Sequence, residues 1–117
     1  MSDINLYDQL IACNKALFEN GNYEASYHLL CAAKHLASDM DDDYDLYKIL
    51  ELARQQSDWI NIHAPNNILS QQSSSGRNKV NLYTSLFEQL KGKIQIAESN
   101  HLLRTISQHN IHKNLSH

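Results

Sequence analysis

The 117-residue chain is poor in chain breakers, cysteine and net charge, and each shortage excludes something. One proline and three glycines leave few interruptions, which favours a chain of helices over a turn-rich sheet fold. Two cysteines, Cys13 and Cys31, imply no disulfide framework, and the default compartment is a reducing cytosol. A formal charge of -3 with three scattered arginines offers no basic stripe for phosphates, so nucleic acid is not expected as a partner. No apolar run approaches the ~20 residues that span a bilayer, and no membrane association is expected. The start, MSDINLYDQL, lacks the basic and apolar regions of a signal peptide. Gly-rich phosphate loops, Cys-x-x-Cys pairs, Gly-x-Ser-x-Gly elbows and paired-carboxylate sites are missing too, so no cofactor and no enzymatic reaction are expected. The acidic run Asp41 to Asp43 lacks the central glycine and distal glutamate of a calcium loop, and reads as a capping turn.

What the chain has is helical periodicity. Leu6, Leu10, Cys13 and Leu17, with Tyr7, Ile11 and Phe18 beside them, form a broad apolar face opposed by Asp8, Lys15 and Glu19. Ser2 or Asp3 is the expected N-cap, and Cys13 is expected to be buried. Asn20-Gly21-Asn22 breaks the pattern, with Gly21 as the left-handed residue that ends the first helix. A second helix, about residues 23–38, presents Ser26, Leu29, Leu30, Ala33, Leu36 and Ala37. A third, about 44–59, places Leu46, Ile49, Leu50 and Ala53 on one side, with Tyr47 and Leu52 flanking.

From Ala64 to Asn78 the pattern stops in a Pro-, Asn-, Gln- and Ser-rich stretch that only Ile68 and Leu69 could anchor. Val80, Tyr83, Phe87, Leu90, Ile94 and Ala97 then step by three and four, a heptad seam widened by Leu86. Beyond Asn100 the stripe jumps to Leu102, Leu103 and Ile106. The expectation is a single all-α domain: a three-helix unit over 1–62, a loop over 63–78, a C-terminal helix over 79–108 and a frayed tail over 109–117. The last helix either folds back over the first three or pairs with a second copy. Its regular seam and long preceding loop favour a homodimer.

Residues 7 to about 40 resemble one tetratricopeptide repeat, a 34-residue helix–turn–helix. The resemblance rests on Leu10, Cys13, Asn14 and Leu17 in the first helix, Gly21 and Tyr23 at the turn, and Ser26, Leu30 and Ala33 in the second. Asn14 stands where glycine is usual and Ser38 where a proline usually closes the repeat. The three-helix microtubule-interacting-and-trafficking domain is similar over the same residues. Both likenesses imply protein binding. Partner-contacting candidates are Tyr7, Asn14, Tyr44 and Tyr47, with Trp59 able to extend an aromatic rim; core burial is the commoner fate of helical aromatics. Asn14 could equally bond within the bundle. The expected function is a non-enzymatic adaptor or regulator that binds another protein or peptide through helical surfaces.

Two alternatives carry chemistry. Arg104 and His109, an arginine and a histidine separated by four residues, resemble the catalytic motif of HEPN ribonucleases, helical proteins that dimerise to assemble their site; this implies a nuclease or toxin–antitoxin component. His28, Cys31, His35 and Asp39 fall on one stripe of the second helix and have the donor atoms of a divalent-metal site. Four ligands on one straight helix cannot close a tetrahedron, so further ligands would have to come from elsewhere.

Overall fold

A computed structural model of the chain describes residues 5–71 and 81–115, with side chains described as far as Ser107. Four helices follow in order, α1 (Leu6–Glu19), α2 (Tyr23–Asp39), α3 (Asp43–His63) and α4 (Leu82–Leu115). No strand occurs among the described residues. The protein is an all-α bundle, and no described helix is long and apolar enough to cross a membrane.

The helices start and stop for local reasons. Asn5, not Ser2 or Asp3, caps α1: its Oδ1 accepts from the Tyr7 amide at 2.9 Å. Both short interhelical turns are Schellman motifs. At the first, the Gly21 amide donates to the Phe18 carbonyl and the Asn22 amide to that of Leu17, with Gly21 at φ 84°. At the second, Asp41 and Asp42 donate to the carbonyls of Ser38 and Ala37. There the left-handed residue is Asp41, at φ 51°. Asp42 then caps α3, its Oδ1 accepting from the Asp45 amide at 3.0 Å. One acidic turn thereby ends α2 and starts α3.

The chain stacks as two helical hairpins, α1–α2 and α3–α4, with α2 touching all three other helices. Ser26, Ala33 and Ala37 on α2 are fully or nearly fully buried, and their small side chains let the neighbouring helices approach. Leu46, Ile49, Leu50, Ala53 and Ile60 of α3 and Tyr83, Leu86, Leu90, Ile94 and Ala97 of α4 complete one core. The α3 face expected from spacing is therefore the buried one. The α4 seam is also buried, but against α2 and α3 of its own chain, which removes the seam as a reason for a homodimer. Val80 and the Ser73–Gly76 centre of the loop lie outside the described residues.

Several expectations are corrected. The α1 face is turned: Tyr7 and Asn14 are its buried residues, whereas Leu6 is 64% exposed and Cys13 is exposed rather than buried. Leu69 anchors the loop at 1% exposure, but Ile68 points outward. Trp59, Tyr44 and Tyr47 are surface residues, not core. α3 continues four residues past Trp59, and α4 is helical to Leu115 instead of fraying after 108. At 34 residues α4 is about 51 Å long. The radius of gyration, 18.2 Å, exceeds the about 13 Å of a compact chain of this length.

Candidate functional site

Four polar side chains, one from each helix, meet inside the bundle. Asn14 of α1 is completely buried, and its Nδ2 donates to the Ser26 carbonyl and to the Ser26 hydroxyl, both at 2.7 Å. Ser26 Oγ returns a hydrogen bond to the Asn14 carbonyl at 3.0 Å. Gln56 Nε2 of α3 donates to Asn14 Oδ1 at 2.6 Å, and Gln56 Oε1 accepts from Tyr83 of α4 at 3.4 Å. Among the described residues no buried side-chain polar atom lacks a partner. A satisfied network of this kind fixes the relative positions of the helices, because each amide tolerates only one arrangement of its neighbours.

The Gln56 side of this network borders a trough between α1 and α3. The two helices are otherwise joined at its ends, by the Tyr7 hydroxyl donating to the Asp45 carbonyl at 3.3 Å and by the Phe18–Trp59 ring pair at 5.4 Å. Two open hollows of about 350 and 280 Å³ lie along the trough and share Lys15, Leu52 and Gln55. Their apolar lining comes from Tyr7, Ile11, Phe18, Leu52 and Trp59, and their charges from Asp8, Lys15, Glu19, Lys48 and Glu51. At one end Phe18, Tyr23, Trp59 and His63 stack in a chain of ring contacts, leaving Trp59 40% exposed.

At the other end, the Lys48 ammonium stands over two rings, 5.3 Å from that of Tyr7 and 4.6 Å from that of Tyr44. Lys48 and Glu51 also border a third, wider hollow between α3 and α4, lined by Tyr44, Tyr47, Arg54 and Lys91. Tyr47 crosses it, its hydroxyl donating to Glu98 at 2.5 Å. Burial, and after it the carboxylates of Asp45, Asp8 and Asp42, pushes the Tyr7 phenol above its ordinary range. For Tyr47 the hydrogen bond to Glu98 does the same.

Of the four residues expected at a partner surface, the structure gathers Tyr7 and Tyr44 about Lys48 and leaves Tyr47 exposed beside them. Of the two fates expected for Asn14 the structure shows the second: at 0% exposure it bonds within the bundle, and it is dropped as a partner-contacting candidate. Leu52 and Lys48 were missed as site residues, although Leu52 lay one step off the α3 core face, where a trough-lining residue belongs.

The metal alternative finds no assembled site among the described residues. His28 and His35 are exposed and Cys31 half-buried, and among the described residues no three histidine, cysteine or carboxylate side chains converge. Arg104 is engaged with the acidic turn, its guanidinium 3.7 Å from Asp41 and its Nε 3.4 Å from the Asn100 carbonyl. The side chain of His109 lies outside the described residues. Asn100 and His101 add hydrogen-bond-range contacts to Asp41, at 3.3 and 3.0 Å, so the turn before α3 grips α4 where it leaves the bundle.

No family model matches the chain, and neither the curated proteins nor the solved structures contain a match to it.

Proposed function

We propose that the protein is a non-enzymatic interaction module that receives an extended or helical segment of another protein in the α1–α3 trough. The observation that carries this reading is the trough itself: two open hollows, one of mixed polarity and one mainly apolar, the latter bordered by a partly exposed tryptophan and by Gln56 of the buried amide network. A preformed border spares the binding reaction the entropy of ordering it, and Trp and Tyr are the residues most enriched at binding hot spots. Leu52 and Trp59 are the anchors, with the buried Tyr7 closing one end of the trough. Tyr44 and Tyr47, past Lys48, extend the surface for a segment that leaves the trough. Charges of both signs along the rim suit a segment that is itself mixed in charge. The tetratricopeptide resemblance of residues 7 to about 40 points to the same class of function. Two unpaired cysteines suit work in a reducing cytosol.

The test is a displayed peptide library panned against the whole chain. Enriched peptides are expected to lose binding to Leu52→Glu at least tenfold and to keep it with His35→Ala, a change on the outer face of α2. Circular dichroism confirms that both variants fold. An absence of enriched sequences, or binding indifferent to Leu52→Glu, overturns the proposal.

A further inference from the structure

Three hydrogen bonds join α2 to α4, and each spans 55 positions. The Tyr27 hydroxyl donates to the Leu82 carbonyl at 3.2 Å, the Lys34 ammonium to Gln89 Oε1, and the Lys93 ammonium to the Ser38 hydroxyl at 3.2 Å. The two helices therefore run parallel in one fixed register. Lys34 and Ser38 lie one turn apart on α2, as Gln89 and Lys93 do on α4. Each lysine reaches across to the opposite helix, and the two are displaced from each other by about one turn, ~5.4 Å, along the boundary.

Neither cation meets a counter-ion among the described residues. Lys48 pairs with Asp45 at 3.1 Å and Arg104 stands 3.7 Å from Asp41, but no carboxylate pairs with Lys34 or Lys93. Asp39, Glu88 and Glu98, the carboxylates closest to them in sequence, pair with neither. Lys34 is 4% exposed and Lys93 half-buried, and the groups they reach, Gln89 and Ser38, are neutral. Lysine is almost never buried to this extent unless it is paired. Burial holds the Lys34 ammonium below its ordinary range; Cys31 opposes the shift and Lys93 adds to it, so the two charges feel each other.

We infer that Lys34 and Lys93, with the Ser38 hydroxyl, form a binding site for one phosphate group at the α2–α4 boundary, a phosphate oxygen taking the place that Gln89 Oε1 now fills. Three features select this ligand. Two cations facing neutral groups call for two negative charges; a phosphate ester carries about -1.5 to -2 at neutral pH, whereas a carboxylate carries one. The donors come from two helices and so converge from different directions, which suits the several acceptor oxygens of a tetrahedral anion. The cover is also removable. Gln89 is an exposed side chain whose Nε2 donates to Ser85 Oγ at 3.2 Å, and turning it aside exchanges a neutral acceptor for a charged one. Two lysines hold a single phosphate, not a nucleic-acid backbone, which needs a longer basic stripe. The site is separate from the α1–α3 trough, so this inference stands or falls independently of the proposed function.

The test is isothermal titration calorimetry on the full chain at constant ionic strength, with inorganic phosphate and glycerol phosphate as parallel probes. Saturable one-to-one binding is expected, with a dissociation constant of about 1 mM or below. Lys34→Met and Lys93→Gln are each expected to weaken it at least tenfold. Gln89→Glu sets a carboxylate against Lys34; it should abolish binding and raise the thermal midpoint, as an internal stand-in for the anion would. Arg104→Gln, which removes the same charge farther along α4, should leave affinity within about twofold. Circular dichroism checks that each variant is helical. The probe that binds more tightly assigns the site to a phosphomonoester or to the free anion. Absence of saturable heat from both probes up to about 10 mM overturns the inference. So does binding that survives Lys34→Met or Lys93→Gln, or that Arg104→Gln weakens as much as they do.

Discussion

The side-chain amides of Asn14 and Gln56 face each other across the α1–α3 boundary and exchange two hydrogen bonds. Gln56 Nε2 donates to Asn14 Oδ1 at 2.6 Å and Asn14 Nδ2 donates back to Gln56 Oε1 at 3.3 Å. Both residues are buried, Asn14 completely and Gln56 to 4% exposure. The pair joins the two hairpins beside the trough, so it links stability to the proposed binding surface.

Asn14→Ala strands the Gln56 amide and the Ser26 groups that Asn14 now satisfies. It is expected to lower unfolding free energy by about 3 kcal/mol, since each buried orphan costs ~1–3 kcal/mol. Urea unfolding measures it. A double-mutant cycle with Gln56→Ala should return a coupling of about 1 kcal/mol or more. Additive effects would mean that the amide pair holds nothing together.

Two glycines should respond to alanine in opposite directions. Gly21 sits at φ 84°, with open space where a Cβ would go, so Gly21→Ala suffers backbone strain alone and loses about 1 kcal/mol. Gly92 lies inside α4, and an added Cβ meets no atom within 4 Å, so Gly92→Ala gains up to about 1 kcal/mol from helix propensity. Thermal unfolding of the two variants, each against wild type, separates these outcomes. By the same reasoning Asp41→Gly relieves strain at φ 51°, offset by loss of its contacts to α4.

Lys34 is a buried cation whose described hydrogen bond is to Gln89, a neutral group. Burial holds its pKa below the ordinary 10.5; nearby Lys93 lowers it further, and Cys31 opposes the shift. The unfolded chain therefore binds this proton more tightly. The penalty is full at neutral pH, and stability rises as pH climbs through the interval between the lowered value and 10.5. Lys34→Met is expected to be more stable than wild type by about 1 kcal/mol at neutral pH. The difference should shrink as pH approaches the ordinary lysine value. Parallel stability curves for the two proteins from pH 7 upward would contradict this.

Three phenols work in the opposite direction. Burial first, joined by Asp45 for Tyr7, Cys31 for Tyr27 and the Tyr27 phenol for Tyr83, raises all three above the ordinary 10.0. With folded values above the unfolded one, their contribution is complete below pH 10 and is lost as pH climbs toward the raised values. In an ultraviolet titration these three of the six tyrosines should ionise only together with loss of helical circular dichroism. Ionisation of all six before any helix is lost would show that the phenols are not sequestered.

Much of the bundle could be read from spacing. Leu46, Ile49, Leu50 and Ala53 follow the helical repeat and are the buried face of α3, and Gly21 ends α1 where a left-handed residue was needed. The site was less legible. Asn14 looked like a polar group available to a partner because its own partners are remote: Gln56 lies 42 positions away, and no local pattern announces that pairing. Tyr7 lies two turns before Asn14 on the same inward face of α1, which leaves Leu6 and Cys13 outside. Cys13 and Tyr7 both fell within one broad apolar face, and periodicity alone cannot say which edge of such a face meets the core.

The sequence by itself determined that the chain makes helices, where two of them reverse and which residues on α3 and early α4 seek shelter. Those properties arise from neighbours within one or two turns. Only the tertiary structure decided that the α4 seam is sheltered by its own chain, that Asn14 is a structural fastener, and that a trough opens between α1 and α3. These outcomes depend on groups distant in sequence becoming close in space, where a buried amide must find its complement and a helix has only one side to offer the core.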